Sequence, residues 1–260
     1  MHTKKATVIT AETHTLHSPL LKRDVILSIY FPCVRIAPGK MNLLLINDGQ
    51  DLEIMKFEKI LSRLYSTNEI EPIFFVGIGC GIDRKNEYGT AKYLDYNGRG
   101  TKAALYQQFV FDELIPFIRG NYALPSFKEK SFCGFSLGGL SALDTVWNHP
   151  QEFSKAGVFS GSLWWRTKNL DDNYNDDTDR IMHQQIRNGK YHPGLRFYFT
   201  TGSLDETADR NKNGIIDSID DTLDLIKELK KLGYDSEYEI KYINYQDGKH
   251  GVVGSSGDFS

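Results

Sequence analysis

The chain of 260 residues is long enough for one large α/β domain, and its 40% hydrophobic and 25% charged residues are typical of a globular protein. The formal net charge of −3 argues against a dedicated nucleic-acid-binding protein, and no run approaches the roughly eighteen apolar residues of a membrane span. The first 21 residues lack the apolar core of a signal peptide, so the compartment stays open between cytosolic and already processed.

Short apolar runs along the chain have the length and the β-branched or aromatic content of buried strands. In chain order they are VILSIYF, NLLLIN, PIFFVGIG, SFCGFS, AGVFSG, LRFYFTTG and YEIKYINY. Two helix-like segments, ALYQQFVFDELIPFIRG and DTLDLIKELKKLG, each place apolar residues on roughly one face. These residues are Leu105, Phe109, Leu114 and Ile118 in the first segment, and Leu225, Ile226, Leu229 and Leu232, followed by a helix-ending Gly233, in the second.

The alternation of strands and helices predicts an α/β fold with a mostly parallel central sheet and helices on both faces. The first forty residues predict antiparallel strands at one edge of that sheet. No internal repeat or linker is present, which predicts a single domain over residues 1–260 with a loop insertion at residues 209–221.

The segment GFSLGGLSALDTVW carries a G-x-S-x-G motif, Gly134 to Gly138, centred on Ser136. An apolar strand precedes the motif and a helical segment follows it, as the sharp turn of a nucleophile elbow requires. The serine then lies at a helix N-terminus, which favours developing negative charge. The alternative is a glycine-rich turn with an incidental serine, but the ordered context favours a nucleophile.

A serine nucleophile needs a base and an orienting acid, which follow it in the order acid, histidine in this type of fold. The downstream histidines are His149, His183, His192 and His250. His250 alone follows a strand, in YINYQDGKHG, and is the predicted base. The acid should follow the strand LRFYFTTG, where Asp205 comes first and Glu206 is the second choice.

The stretch DRNKNGIIDSID matches the spacing of a calcium-binding loop. Oxygen ligands at the expected positions would come from Asp209, Asn211, Asn213, the Ile215 carbonyl, Asp217 and Asp220, with Gly214 at the sharp turn. The last ligand is Asp rather than the usual Glu, and a strand rather than a helix precedes the loop. The alternative is a polar turn in which Asn213 and Gly214 supply left-handed geometry and Ser218 caps a helix with Asp221. The spacing favours a structural Ca²⁺.

With these residues placed, the chain resembles an esterase family of α/β-hydrolases over nearly its whole length, from about Val25 to His250. The family includes enterochelin esterases, feruloyl esterases, S-formylglutathione hydrolases and mycolyltransferases. The resemblance is carried by LLLINDGQD, VGIGCGIDRKNEYG, GFSLGG, FSGSLWW, TGSLDE and DGKH. It implies the α/β-hydrolase fold and a triad of Ser136, Asp205 and His250. After His250 the sequence HGVVGSSGDFS departs from the family pattern, which continues with an acidic residue, a tryptophan and a helix.

The resemblance also implies further site residues. The backbone N–H groups of Leu137 and Gln50 would form the oxyanion hole. The substrate pocket would involve Trp164, Trp165, Arg84, Glu87 and Tyr88. The alternative for Arg84, Glu87 and Tyr88 is an ion pair and a packed ring, and core packing explains the tryptophan pair almost as well.

The sequence therefore predicts a serine carboxylic-ester hydrolase that works through an acyl-enzyme, without an organic cofactor, on a small-molecule or glycan ester. Siderophore esters and feruloyl or acetyl carbohydrate esters are both candidate substrates. Few positive charges are grouped near the motifs, so nothing in the sequence selects a strongly anionic ligand. The alternatives are an acyltransferase with the same triad and a binding module with an impaired site.

Overall fold

The structure is a computed structural model that describes residues 9–33, 36–37 and 39–250. Its strands form one eight-stranded sheet in the order β1-β2-β4-β3-β5-β6-β7-β8. The strands are β1 (Ile9–Ser18), β2 (Arg23–Pro32), β3 (Asn42–Asn47), β4 (Ile73–Ile78), β5 (Lys130–Phe135), β6 (Lys155–Phe159), β7 (Arg196–Leu204) and β8 (Ile240–Lys249).

The pairing directions confirm the predicted sheet. β1 pairs with β2, and β2 with β4, in antiparallel register, whereas all the pairs from β4 through β3 to β8 are parallel. The carboxyl ends of β3 to β8 consequently lie at one edge, which is where ligands bind in parallel α/β sheets. The segments that follow these strands are therefore brought together.

Helices connect the strands and cover the sheet. They are α1 (Phe57–Ser66), α2 (Arg84–Glu87), α3 (Ala103–Gln108), α4 (Ile115–Asn121), α5 (Ser136–Asn148), α6 (Asp176–Asp179), α7 (Ile181–Arg187) and α8 (Asp217–Lys231). Side chains alternate between the two faces of each strand, so Phe74 and Val76 enter a large core with α4, α5, α7 and α8, whereas Phe75 enters a smaller one with Leu52 and Met55. No described helix is both long and apolar enough to cross a bilayer.

The helix-like segment between β4 and β5 differs from its prediction. A π-helical turn at Phe109–Leu114 separates α3 from α4. A π turn adds a residue to the helical repeat and rotates the two flanking faces relative to each other. Phe109, Leu114 and Ile118 are buried as predicted, whereas Leu105 is 37% exposed.

Helix α8 follows its prediction closely. Leu225, Ile226 and Leu229 are buried, and the helix ends just before Gly233, whose φ is 106°. The Tyr234 N–H donates to the Leu229 carbonyl at 3.2 Å, which closes the end of the helix.

Candidate active site

Ser136 lies at the sharp turn between β5 and α5. Its φ is 52°, a left-handed conformation that costs free energy in a non-glycine residue. A Cβ on Gly134 would lie 2.5 Å from the carbonyl carbon of Gly138, and a Cβ on Gly138 would lie 2.7 Å from Asp48 Oδ2. Both glycines are therefore required sterically, and the local geometry is that of a nucleophile elbow.

The loop after β3, which carries Gln50, is fastened to this elbow. Asn47 donates from Nδ2 to the carbonyl of Gly138 at 2.7 Å and accepts at Oδ1 from the Tyr106 hydroxyl at 2.5 Å. Asn47 and Tyr106 are fully buried, so the two contacts are shielded from water. The loop thus lies beside the N-terminus of α5, where Leu137 follows Ser136. The oxyanion roles of Leu137 and Gln50 remain a prediction.

The next residue of this loop, Asp48, is held by the segment after β4. Arg84 donates to both carboxylate oxygens of Asp48, from Nε at 2.7 Å and from a terminal nitrogen at 2.8 Å. The Asp48 N–H donates to the Tyr88 hydroxyl at 3.2 Å. Burial by itself would lower the pKa of Arg84, but the hydrogen bonds and charge of Asp48 raise it above its usual value. The two hydrogen bonds from Arg84 fix the loop.

Glu87 and Tyr88 are buried side chains, and their contacts are those of the ion pair and packed ring given as the alternative to a pocket role. Glu87 is 1% exposed and accepts from two nitrogens of Arg23, at 2.8 and 2.6 Å. Tyr88 is fully buried, with its ring 5.2 Å from that of Tyr106. The sequence segment DRKNEYG therefore supports the loop after β3 from behind.

Asp205 directly follows β7 and is 9% exposed. Its Oδ2 accepts from the Gly202 N–H at 2.8 Å, whereas Oδ1 is buried and has no hydrogen-bond partner among the described residues. An unsatisfied buried carboxylate oxygen is costly, and such groups occur where a functional partner binds. The N–H of an imidazole would satisfy it.

His250 directly follows β8, the strand next to β7, and Leu204 is paired with Lys249 where the two strands end. The side chain of His250 is exposed, and in the described part of the chain it makes no hydrogen bond to Ser136 or Asp205. Ser136 Oγ instead shares a hydrogen bond of 3.1 Å with Ser162 Oγ. The structure thus places the three predicted triad residues at one sheet edge without linking them. Residues 251–260, which include the unusual C-terminal segment, lie outside the described residues.

Glu206, the second choice for the acid, lies beside the same strand end. Burial raises the pKa of its carboxyl, and the negative charges of Asp217 and Asp221 raise that pKa further, whereas the hydrogen bond from the Ser218 N–H lowers it. His250 is close enough to lower the pKa of Glu206 by its charge. The geometry consequently leaves two carboxylates near the histidine.

The tryptophan pair divides into a core residue and a surface residue. Trp165 is fully buried, and its ring would contact a Cβ on Gly89 at 2.7 Å, so it packs in the core. Trp164 is partly exposed beside it, with the ring centroids 6.0 Å apart. The guanidinium carbon of Arg99 lies 5.2 Å from the Trp164 ring centroid. Trp164 is the member of the pair that can contact a ligand.

The predicted calcium loop is closed by its own hydrogen bonds. The carboxylate of Asp209 accepts the N–H groups of Asn213 and Gly214 at 3.1 and 2.9 Å. Asp220 Oδ2 accepts the side-chain amides of Asn211 at 2.9 Å and Asn213 at 2.6 Å. Across residues 9–33, 36–37 and 39–250, no group of three or more His, Cys, Asp or Glu side chains is arranged to hold a metal ion.

An arginine supplies positive charge where the calcium interpretation expected an ion. Asp217 accepts the Arg210 N–H at 2.9 Å, and its carboxylate lies 3.3 Å from the Arg210 guanidinium. The same guanidinium binds Asp176 at 2.6 Å and the fully buried Asp221. The structure therefore does not support a Ca²⁺ site at Asp209, Asn211, Asn213, Ile215, Asp217 and Asp220.

We expect calcium to leave the stability of the protein unchanged. A specific site at 100 times its Kd would add about 2.7 kcal/mol to the free energy of unfolding, or roughly 5–10 °C in Tm for a chain of this size. The Tm values measured with CaCl₂ and with EGTA should therefore agree within about 1 °C. Arg210→Met should lower Tm because Asp221 loses a partner, whereas Lys212→Met in the same exposed loop should not. A rise of several degrees in calcium would restore the metal interpretation.

Two residues near the elbow were absent from the predicted site. Ser162, which contacts Ser136, and Arg99, which stacks on Trp164, were not singled out. Ser162 follows β6 within the quoted segment FSGSLWW, and a polar residue after a parallel strand is a signal that could have identified it. Arg99 has no comparable signal because its contacts with Trp164 and Trp165 join residues more than sixty positions apart along the chain.

Comparison with known proteins places this geometry in a family. Residues 18–252 match the family model described as Putative esterase. A curated relative, the uncharacterized protein YjcH of Bacillus subtilis, is 25% identical over 148 residues, which are 55% of this chain and 58% of the relative.

Solved structures share the fold at low sequence identity. An enterochelin esterase from Shigella flexneri superposes with a TM-score of 0.69 and 20% identity over 94% of this chain and 54% of that one. A ferulic acid esterase superposes with a TM-score of 0.68 and 14% identity over 96% of this chain and 94% of that one. The siderophore hydrolase EstB of Aspergillus nidulans superposes with a TM-score of 0.68 and 17% identity over 97% of this chain and 94% of that one. The α/β-hydrolase fold is confirmed. The chain spans just over half the length of YjcH and of the Shigella enterochelin esterase.

Proposed function

Because the chain belongs to the Putative esterase family, we propose that it is a serine carboxylic-ester hydrolase in which Ser136 is the nucleophile, His250 the base and Asp205 the acid. The observation that carries the proposal is the left-handed φ of 52° at Ser136 between β5 and α5. The surrounding fold maintains this strain, and a strained serine at a strand-to-helix turn presents its hydroxyl to a substrate.

In the proposed reaction, Ser136 Oγ attacks the carbonyl carbon of the ester while His250 takes the hydroxyl proton. The tetrahedral intermediate collapses to an acyl-enzyme as His250 returns the proton to the leaving alcohol. Water, activated by the same imidazole, then attacks the acyl-enzyme and releases the acid. Asp205 Oδ1 would accept the second ring N–H of His250, which fixes the tautomer and stabilises the imidazolium.

The negatively charged oxygen of the tetrahedral intermediate would accept hydrogen bonds from the N–H groups of Leu137 and Gln50. Leu137 lies in the first turn of α5, where backbone N–H groups have no intrahelical partner and the helix dipole is positive. The contact between Asn47 and Gly138 supports this role, because it ties the Gln50 loop to the elbow. Fixed donors need no reorganisation during the reaction, and each contributes about 10²–10³ in rate.

The reaction requires a rearrangement at the histidine. His250 is exposed, and Ser136 Oγ is bonded to Ser162 Oγ. We infer that the ring of His250 turns toward Asp205 Oδ1 and that Ser136 then exchanges Ser162 for His250. The buried and unpartnered Oδ1 favours this movement because the new hydrogen bond removes a desolvation cost.

The substrate we propose is an ester with an aromatic or siderophore component. Solved structures of the same fold are described as enterochelin esterase, ferulic acid esterase and siderophore hydrolase. Trp164 supports this class because it offers a partly exposed ring near the elbow, two positions after Ser162. An aromatic ring of a substrate can pack against such a surface.

Labelling with a fluorophosphonate probe tests the nucleophile directly. An activated serine displaces fluoride from the probe and becomes phosphonylated, so we expect one label per wild-type chain, located at Ser136 by peptide mass spectrometry. Ser136→Ala should take up no label, whereas Ser131→Ala, in the strand β5 that leads to the elbow, should be labelled like the wild type. Equal labelling of wild type and Ser136→Ala, or none of a folded wild type, would contradict the proposal.

A further inference from the structure

Arg84, Arg99, Arg166 and Arg210 are four of the arginines in the segments that follow β4, β6 and β7. Three are neutralised by carboxylates: Arg84 by Asp48, Arg99 by Asp95, and Arg210 by Asp176, Asp217 and Asp221. The fourth, Arg166, has no ion pair within the described ranges and donates to two backbone carbonyls, of Lys168 at 3.1 Å and Trp164 at 3.5 Å. Among these four arginines, Arg166 is therefore the one without a carboxylate partner in the described part of the chain.

The side chain of Arg166 is held in place by aromatic rings. Its guanidinium carbon lies 4.8 Å from the ring centroid of Tyr96 and 5.6 Å from that of Tyr174. It also lies 6.0 Å from the Trp164 ring. Such contacts orient the planar group and reduce the entropy lost on binding, while several of its five N–H donors stay available.

Backbone contacts link Arg166 to the nucleophile. The Ser162 N–H donates to the Ser136 carbonyl at 3.0 Å, and the Trp165 N–H donates to the Ser162 carbonyl at 3.2 Å. The Arg166 carbonyl accepts the Tyr96 N–H at 2.9 Å, which joins this segment to the one after β4. Arg166 thus lies a few residues after Ser162, which contacts the elbow, and it lies on the rim between the loops that follow β4 and β6.

The loop that carries the proposed acid borders the same arginine. Tyr174, which stacks on Arg166, also lies 6.0 Å from the guanidinium of Arg210, and Arg210 belongs to the loop after Asp205. The unpaired charge is consequently flanked by the segments that carry Ser136, Trp164 and Asp205. A ligand bound at Ser136 would lie between these segments.

We propose that Arg166 selects esters that carry a carboxylate, which it binds as a bidentate partner while the ester carbonyl meets Ser136. This inference rests on the proposed function and names the substrate group that the site recognises. A half-buried guanidinium with no acid beside it carries a desolvation cost that a substrate carboxylate offsets. The planar fork matches a carboxylate, and its charge-assisted hydrogen bonds are about twice as strong as neutral ones. The proposal goes beyond the sequence analysis, in which nothing selects a strongly anionic ligand.

Paired esters that differ in one charge test the proposal. For a carboxylate on the acyl side, mono-p-nitrophenyl adipate is compared with p-nitrophenyl hexanoate. For a carboxylate on the alcohol side, para-acetoxybenzoate is compared with para-acetoxybenzamide. The quantity measured is the ratio of kcat/KM for the charged ester to kcat/KM for its neutral partner. Which pair responds identifies the side of the ester that faces Arg166.

We expect Arg166→Met to lower this ratio in one pair by about 10- to 100-fold, the usual contribution of a hydrogen bond to a charged group. Arg166→Lys should lower it less, because lysine keeps the charge but loses the fork. Arg119→Met, which removes an exposed arginine of α4, should leave both ratios unchanged. A wild type that hydrolyses the esters and an Arg166→Met variant with unchanged ratios would overturn the inference while the proposed function stands.

A binding measurement covers the case in which no ester is hydrolysed. Quenching of tryptophan fluorescence by p-nitrobenzoate, compared with p-nitrobenzamide, reports binding near Trp164 without turnover. Preference of the wild type for the carboxylate, lost in Arg166→Met and kept in Arg119→Met, supports carboxylate recognition even if the hydrolase proposal fails. Equal binding of the two probes by the wild type would refute it.

Discussion

His250→Ala and Asp205→Asn are each expected to lower kcat for p-nitrophenyl acetate by about 10³–10⁴. Without the imidazole, Ser136 has no base to accept its proton. In Asp205→Asn the single amide oxygen can keep the hydrogen bond from the Gly202 N–H, which turns the NH₂ group toward the imidazole. The imidazole is then held in the wrong tautomer and its charged form is not stabilised. KM should change far less than kcat, because neither residue is proposed to bind the acetyl group.

The matched control for Asp205 is its neighbour Glu206. Glu206→Gln should lower kcat by less than about tenfold, since it removes a nearby charge but not the proposed hydrogen bond. Circular dichroism and thermal unfolding would establish that each variant is folded. If Glu206→Gln is inactive and Asp205→Asn retains activity, then Glu206 is the acid and the assignment is reversed.

The parts of this site that could be predicted from sequence depend on local pattern and strand order. Ser136 is identified by the glycines two positions away on each side, whose role is steric and local. Asp205 and His250 are identified because each directly follows a strand of a parallel sheet, and such positions meet at one edge. The fold itself is predicted by the alternation of apolar runs with amphipathic segments, which is also a local pattern of the sequence.

The parts that could not be predicted depend on partners distant in sequence. Glu87 is paired with Arg23 across the antiparallel edge, which turns a predicted pocket residue into a buried support. Asp217 and Asp221 gain Arg210 as a counter-charge, so the spacing of a calcium loop occurs here in a turn closed by hydrogen bonds. Spacing specifies which oxygens come close, but it does not specify which cation meets them.

Arg84→Met is expected to lower the free energy of unfolding by about 3–5 kcal/mol, because it leaves a buried carboxylate without its partner. Asp48 is 6% exposed, and both of its carboxylate oxygens depend on Arg84. Urea unfolding at constant pH measures the change. A second substitution, Asp48→Asn, removes the unpaired charge and should recover most of this loss. Asparagine also tolerates the left-handed φ of 60° at this position.

Activity of the double variant separates a stabilising role of Arg84 from a positioning role. If Arg84 holds the Gln50 loop at the distance that an oxyanion needs, kcat should stay about 10²–10³ below wild type even when stability has recovered. Arg23→Met is the matched control, since it also leaves a buried carboxylate, Glu87, unpaired but does not touch the Gln50 loop. It should reduce stability to a similar extent with a much smaller change in kcat. Equal losses of kcat in the two arginine variants, or full recovery in the double variant, would mean that Arg84 acts through stability alone.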